Sequence, residues 1–136
     1  MANTLKLEIV TPEAVTFSEN VEMVTLPGVE GEMGIYPQHV PLMTQIVPGE
    51  IAVRRAGQDV FLAVGEGFVE ITGEGVSVLT DMAMTADNIN EAKAEEARQR
   101  AEARMAEKLS GEEAAAVHAA LANSLAQLNV KRRTKR

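Results

Sequence analysis

The feature that most constrains this chain is a change of character near Thr85. Nine of its ten glycines and all five prolines lie before that residue, and only Gly111 lies after it. Glycine serves positive-φ turns and proline breaks helix interiors, so the first part must turn often and briefly. Beyond Thr85 the chain is rich in Ala, Glu and Arg, all good helix formers. The expected fold is α+β and mainly β: a β-sandwich domain over residues 1–85, then an antiparallel helical hairpin over residues 86–136 with a basic C-terminal tail.

The strands announce themselves by period. Leu5, Leu7 and Ile9 alternate with Lys6 and Glu8, as in a half-buried strand. Val21, Met23 and Thr25 alternate with Glu22 and Val24, and Ile51 and Val53 with Ala52 and Arg54. Val60–Val64 is continuously apolar, which predicts burial on both faces. Phe68–Ile71 and Val76–Leu79 flank Thr72-Gly73-Glu74-Gly75, a hairpin turn. Strands this short with turns this frequent predict a sandwich or barrel.

A first helix is predicted from Asp87, as N-cap, to Leu109, with an apolar stripe of Ala94, Ala97, Ala101, Met105 and Leu109 and an i,i+4 pair of Glu96 with Arg100. Ser110 and Glu113 match a capping box, starting a second helix that reaches Val130 with a stripe of Ala114, Val117, Leu121, Leu125 and Leu128. So short a connection folds the two helices back on each other. Alanine buries roughly a third of what leucine does at ~25 cal/mol per Å², so the hairpin is expected to be weakly held and able to move.

Charge divides along the same line. Residues 1–85 carry 3 basic and 12 acidic side chains, a net of −9, and residues 86–136 carry 10 basic and 8 acidic, a net of +2. An acidic body repels phosphate, and one Tyr and three Phe offer little for base stacking, so no nucleic-acid partner is expected. No run approaches the ~20 apolar residues of a membrane span, so no direct membrane insertion is expected. Without cysteine there is no disulfide, thiolate metal site or cysteine nucleophile.

The densest run of special residues is Gly28 to Leu42. Glu32 and His39 there could be read as an acid and base or as metal ligands, but they lack a third, orienting group. The expectation is an exposed recognition loop, with His39 bonded to backbone, and no enzyme activity, metal or cofactor in this chain alone. Arg98, Arg100, Arg104 and Lys108 read equally as a solvated face or as a grip for an acidic partner. Lys131, Arg132 and Arg133 open the basic tail, which reads either as an arm for an acidic partner or as a solvated, disordered end. Met23, Met33, Met43, Met82, Met84 and Met105 read as core gap-fillers.

The opening Leu5 to Pro12, the segment Gly31-Glu-Met-Gly-Ile-Tyr-Pro-Gln-His-Val-Pro41, Gly65 to Ile71 and Val76 to Asp81 together resemble the ε subunits of bacterial F-type ATP synthases, over essentially the whole chain. The resemblance implies a non-catalytic central-stalk subunit at the cytoplasmic face of the inner membrane. Its sandwich would sit against the γ subunit and the c-ring, coupling proton translocation to ATP synthesis. Its helices would reach the α/β catalytic head and inhibit ATP hydrolysis. Glu32 matches the c-ring contact; Gly31, Tyr36 and His39 belong to the same rotor-interface loop. The basic residues of helices and tail would face acidic segments of the head. Some members bind ATP through an Ile/Leu-Asp-x-x-Arg-Ala motif in the hairpin. Here Ile89, Asn90, Lys93 and Ala94 stand in those places, and lysine lacks the fork of arginine, so ATP binding is expected to be weak or lost. The competing reading of the residues alone is a free-standing β-sandwich adaptor that binds an acidic protein.

Overall fold

The structure, a computed structural model, describes residues 3–134. Ten strands come first: β1 (Leu5–Val10), β2 (Val15–Val21), β3 (Met23–Gly28), β4 (Gly31–Ile35), β5 (Leu42–Ile46), β6 (Gly49–Arg55), β7 (Gln58–Val64), β8 (Gly67–Ile71), β9 (Gly75–Thr80) and β10 (Ala83–Thr85). A 3₁₀ turn (Ala86–Asn88) leads to helices α1 (Glu91–Met105) and α2 (Gly111–Thr134).

The strands run in the order β10-β7-β6-β3-β5-β8-β9-β1-β2, with β4 on β3. Strands β3 and β5 share one residue pair, Gly28 with Ile46, and the sheet folds over at that junction. One layer holds β10, β7, β6, β3 and β4; the other holds β5, β8, β9, β1 and β2. At the open side β2 approaches β6, where Arg55 pairs with Glu19 and lies 5.8 Å from the Phe17 ring centroid. This β-sandwich is thus nearly closed into a barrel. Leu7, Ile9, Leu26, Ile51, Leu62 and Ile71 are among the side chains fully buried between the layers. Each stabilises the fold by roughly 1.5–3 kcal/mol.

The alternation at Leu5, Leu7 and Ile9 holds, as does that at Ile51 and Val53. The Thr72–Gly75 turn closes with Thr72 N–H donating to Gly75 O at 2.9 Å. Val60–Val64 is covered on both sides where it matters: Leu62 and Val64 face the sandwich core, while Ala63 packs with Ala126 and Val130 of α2. The predicted phase at Val21, Met23 and Thr25 fails after Val21. The chain bends at Glu22, ending β2 and beginning β3, so Val24 and Leu26 take the core positions. Gly28 to Leu42 is not one loop. Gly28 and Gly31 pair across Val29-Glu30, and residues 31–35 form strand β4.

The helices differ from expectation at their ends. Ile89 stays extended and buried, its N–H donating to Ala86 O, so the cap moves from Asp87 to Asn90. The Asn90 side chain accepts from Lys93 N–H at 3.0 Å, and α1 ends at Met105 rather than Leu109. The capping box forms as predicted: Glu113 N–H donates to Ser110 Oγ and Ser110 N–H to Glu113 Oε1. The helix it starts runs past Val130 to Thr134, so Lys131–Thr134 is a helical end and not a disordered one; Lys135 and Arg136 lie outside the described residues. The Glu96–Arg100 pair is absent from the ion pairs, which gather on Arg98 and Arg104. Met33, Met82 and Met84 pack against cores, whereas Met43 and Met105 are exposed.

Candidate partner interfaces

Each face of the sandwich meets something different. On the first layer, α2 lies over β6 and β7. Its contact rests on Ala63, Ile89, Ala126 and Val130, with Phe61, Met82 and Met84 partly buried around them. Leu125, expected in the helix–helix seam, is exposed at a rim shared with Pro27 and Pro48, because α2 turns Ala126 and Val130 to the sheet. Beyond this base α2 packs against α1, whose Ala94 and Ala101 are buried. An open cleft of about 670 Å³ lies between them, lined by Ala97, Ala101, Val117 and Ala120.

The outer face of the second layer is bare. Phe68 pairs with Leu79 across β8 and β9, Leu79 with Val10 across β9 and β1, and Val10 with Val15 across β1 and β2. These four side chains therefore stand in a row across four strands. Phe68 is 52 % exposed, Leu79 58 % and Val15 57 %, with Met43 on β5 at 68 %. A contiguous apolar row on a sheet face is the signature of a surface that another chain covers. Sequence reasoning placed Phe68 and Leu79 in strands without marking them as a surface, and read Met43 as a core residue. The signal was available: Phe68 and Leu79 are apolar at positions where the two-residue alternation calls for polar side chains.

The recognition-loop residues separate in space. Gly31, at φ 125°, lets the β3–β4 turn close, and Glu32 follows it on β4, exposed. Both border an open groove of about 740 Å³ that also takes in Met43 and Phe68, so this end of the molecule is continuous with the apolar row. Tyr36 is exposed beside Met23 and Arg54, on another groove. His39 donates from Nδ1 to Val40 O at 2.7 Å, the backbone bond expected of it.

The basic residues of the hairpin are mostly engaged within the chain. Arg98 pairs with Glu95 and Glu102, and Arg104 with Glu107 at 2.8 Å and Glu113 at 3.4 Å. Arg132 joins the helices, reaching Glu91 at 3.3 Å and Glu95 at 3.6 Å. Lys131 Nζ donates to Ala86 O at 2.9 Å. Arg133 pairs with Glu50 at 3.0 Å and lies 5.0 Å from the Phe61 ring centroid. Arg100 and Lys108 are exposed. Of the motif positions, Ile89 and Ala94 are buried and Asn90 is the helix cap, leaving Lys93 exposed.

The hydrogen bond from Arg98 holds the Glu95 carboxyl below its ordinary range, with the Arg98 and Arg132 charges adding to it. Glu95 and Glu102 raise Arg98 in turn. A depressed carboxyl contributes stability above its unfolded pKa, 4.5, and loses it as pH falls through the lower folded value. The hairpin should therefore loosen slightly below pH 4.5 and stay unchanged between pH 5 and 8. Helical circular dichroism against pH checks this, and Glu95→Gln should flatten the acid limb.

Comparison with known proteins agrees with this architecture. A family model described as the ATP synthase Delta/Epsilon chain, beta-sandwich domain, matches residues 4–86, and one described as its long alpha-helix domain matches residues 87–132. An ATP synthase epsilon chain of Herminiimonas arsenicoxydans is 43 % identical over 130 residues, covering 94 % of this chain and 93 % of its own. That of Dehalococcoides mccartyi is 45 % identical over 127 residues, covering 93 % and 91 %. A chain in the Euglena gracilis mitochondrial ATP synthase, in a structure of OSCP, F1 and c-ring, superposes with a TM-score of 0.77 at 19 % identity, covering all of this chain and 84 % of its own. With matches of this extent across both the strands and the helices, the chain belongs to the ATP synthase delta/epsilon family, among relatives named ATP synthase epsilon chain.

Proposed function

We propose that this chain is a non-catalytic rotor subunit of an F-type ATP synthase, whose strand part (1–85) anchors it and whose helical part (86–136) regulates hydrolysis. The observation that carries the reading is the contrast between the two sandwich faces. One bears an uncovered apolar row, and the other is capped by a helix that seats the small side chains Ala126 and Val130 against it. A permanent partner suits the first face, and a reversible one suits the second.

On this reading γ covers Phe68, Leu79, Val10 and Val15. The adjoining turn brings Glu32 to the polar loops of the c-ring, with Gly31, Tyr36 and His39 in the same segment. Coupling of proton translocation to synthesis follows from that bridge. The hairpin leaves the sandwich to reach the α/β head, and its opening frees Arg132 from Glu91 and Glu95 and Arg133 from Glu50 for acidic residues there, while Arg98 and Arg104 keep their local partners. Exposed pairs of this kind are each worth at most about 1 kcal/mol, so exchanging them costs little. No helix of the described residues is long and apolar enough to cross a membrane. The position proposed is peripheral, on the cytoplasmic face of the bacterial inner membrane.

The test is ATP hydrolysis by the cognate catalytic head with full-length chain and with a chain ending at Thr85. Both should bind, and only the full-length chain should inhibit. Binding without inhibition by either removes the brake and leaves the anchor. Failure of both to bind removes the rotor assignment.

A further inference from the structure

Besides the Arg133–Glu50 pair, α2 brings a second polar side chain, Asn123, over a corner of the sandwich shaped around a glycine. Strands β7 and β9 end at a corner where Gly65 N–H donates to Met82 O at 2.9 Å and Asp81 N–H to Glu66 O at 3.1 Å. Thr80, buried, ties the corner with its hydroxyl, which donates to Glu66 O at 2.8 Å. The backbone around Asp81 is therefore held. Its carboxylate lies in the space that Gly65 leaves open: a Cβ on Gly65 would stand 2.0 Å from Asp81 Oδ1. The same Cβ position is 3.5 Å from Asn123 Oδ1, which α2 brings over the corner. That Asn123 oxygen is buried and has no hydrogen-bond partner. Two acceptors thus converge above one glycine. A half-turn of the Asn123 carboxamide about its last bond exchanges oxygen for NH₂ within nearly the same volume and offers a donor to the carboxylate.

We propose that Asn123 is the seating contact of the hairpin: its carboxamide donates to the Asp81 carboxylate across the gap at Gly65 and sets the balance between docked and free α2. The inference deepens the brake reading and rests on it for its consequence in the complex. A polar contact fits a part that must let go. The buried apolar contacts beside it are few, Ala63, Ile89, Ala126 and Val130, and on release both Asp81 and Asn123 regain hydrogen bonds from water. The charge-assisted bond nonetheless discriminates, because it forms in only one seating of the helix.

Amide hydrogen exchange across α2 in the isolated full-length chain reads the docking directly. Asn123→Leu keeps the size and removes the donor, and Gly65→Ala pushes the Asp81 carboxylate aside. Each should speed exchange over residues 120–130 by about tenfold or more, the value of a hydrogen bond to a charged group. Protection of the sandwich strands should stay unchanged. Combined, the two should do no more than either alone, because they break the same contact. The opposite sign overturns the proposal: if the oxygen is simply unpaired, Asn123→Leu replaces a buried polar atom with an apolar one and slows exchange, and unchanged exchange overturns it equally. Should Gly65→Ala also expose the strands, Asn123→Leu decides alone. Hydrolysis by the catalytic head separates this from the brake reading. Faster exchange with stronger inhibition supports both, and faster exchange with unaltered inhibition supports the latch while sinking the brake.

Discussion

Replacing Phe68 by Glu and Leu79 by Lys together should leave the chain folded and, on the proposed role of the apolar row, detach it from the rotor. The two residues face each other directly across β8 and β9, so the substitution places opposite charges at a cross-strand pair, an arrangement that a sheet tolerates. Both side chains are more than half exposed, so little core packing is lost. In a complex the same two charges must be stripped of water against an apolar surface. Apolar anchors at the centre of an interface commonly contribute upward of 1–2 kcal/mol each, so affinity for a γ–c-ring assembly should fall by about a hundredfold or more. Sedimentation or surface binding measures the affinity, and the thermal midpoint of the isolated chain serves as the control for folding. Unchanged affinity in a folded double variant would remove the apolar row from the rotor interface.

Gly67→Ala should do the reverse, destabilising the fold itself and not the contact with a partner. A Cβ at Gly67 would lie 2.0 Å from Leu79 O and 2.8 Å from Thr80 Cα, both backbone atoms of the paired strand β9. No rotamer change relieves such a clash; β8 and β9 must separate, and they carry Val69, Ile71, Val76 and Val78 of the core. Overpacking against backbone belongs at the upper end of its range, about 3 kcal/mol or more. For a domain of this size that lowers the melting temperature by roughly 12–24 °C. Urea unfolding gives the free energy, and a loss below about 1 kcal/mol would contradict the close packing of these strands.

The two variants mark what could be read from residues alone. The division into strands and helices was legible because glycine, proline and period act locally: the Leu5–Ile9 alternation, the Thr72–Gly75 turn and the Ser110–Glu113 capping box each need only a few neighbouring residues. The Val21–Thr25 phase was misread because a bend at Glu22 moves the chain to another strand, and a period cannot show where it is interrupted. The cap moved from Asp87 to Asn90 because Ile89 is drawn under α2, a contact between parts of the chain that are distant in sequence.

The sites divide in the same way. Glu32, His39 and the basic residues were visible as types, but their grouping was not. The structure sets Gly31 and Glu32 beside Met43 and Phe68, and sends Tyr36 to another groove. It also occupies Arg98, Arg104, Arg132 and Arg133 with carboxylates of the chain itself, which no count of charges predicts.

By itself the sequence determined the element types, the two-part organisation and the family resemblance, since each rests on short-range chemistry or on the order of residues. Only the tertiary structure decided that Phe68, Leu79, Val10 and Val15 stand in one row, and that Asp81, Gly65 and Asn123 meet. Both depend on register between strands and on where α2 lands, and those are set by packing among residues far apart in the chain.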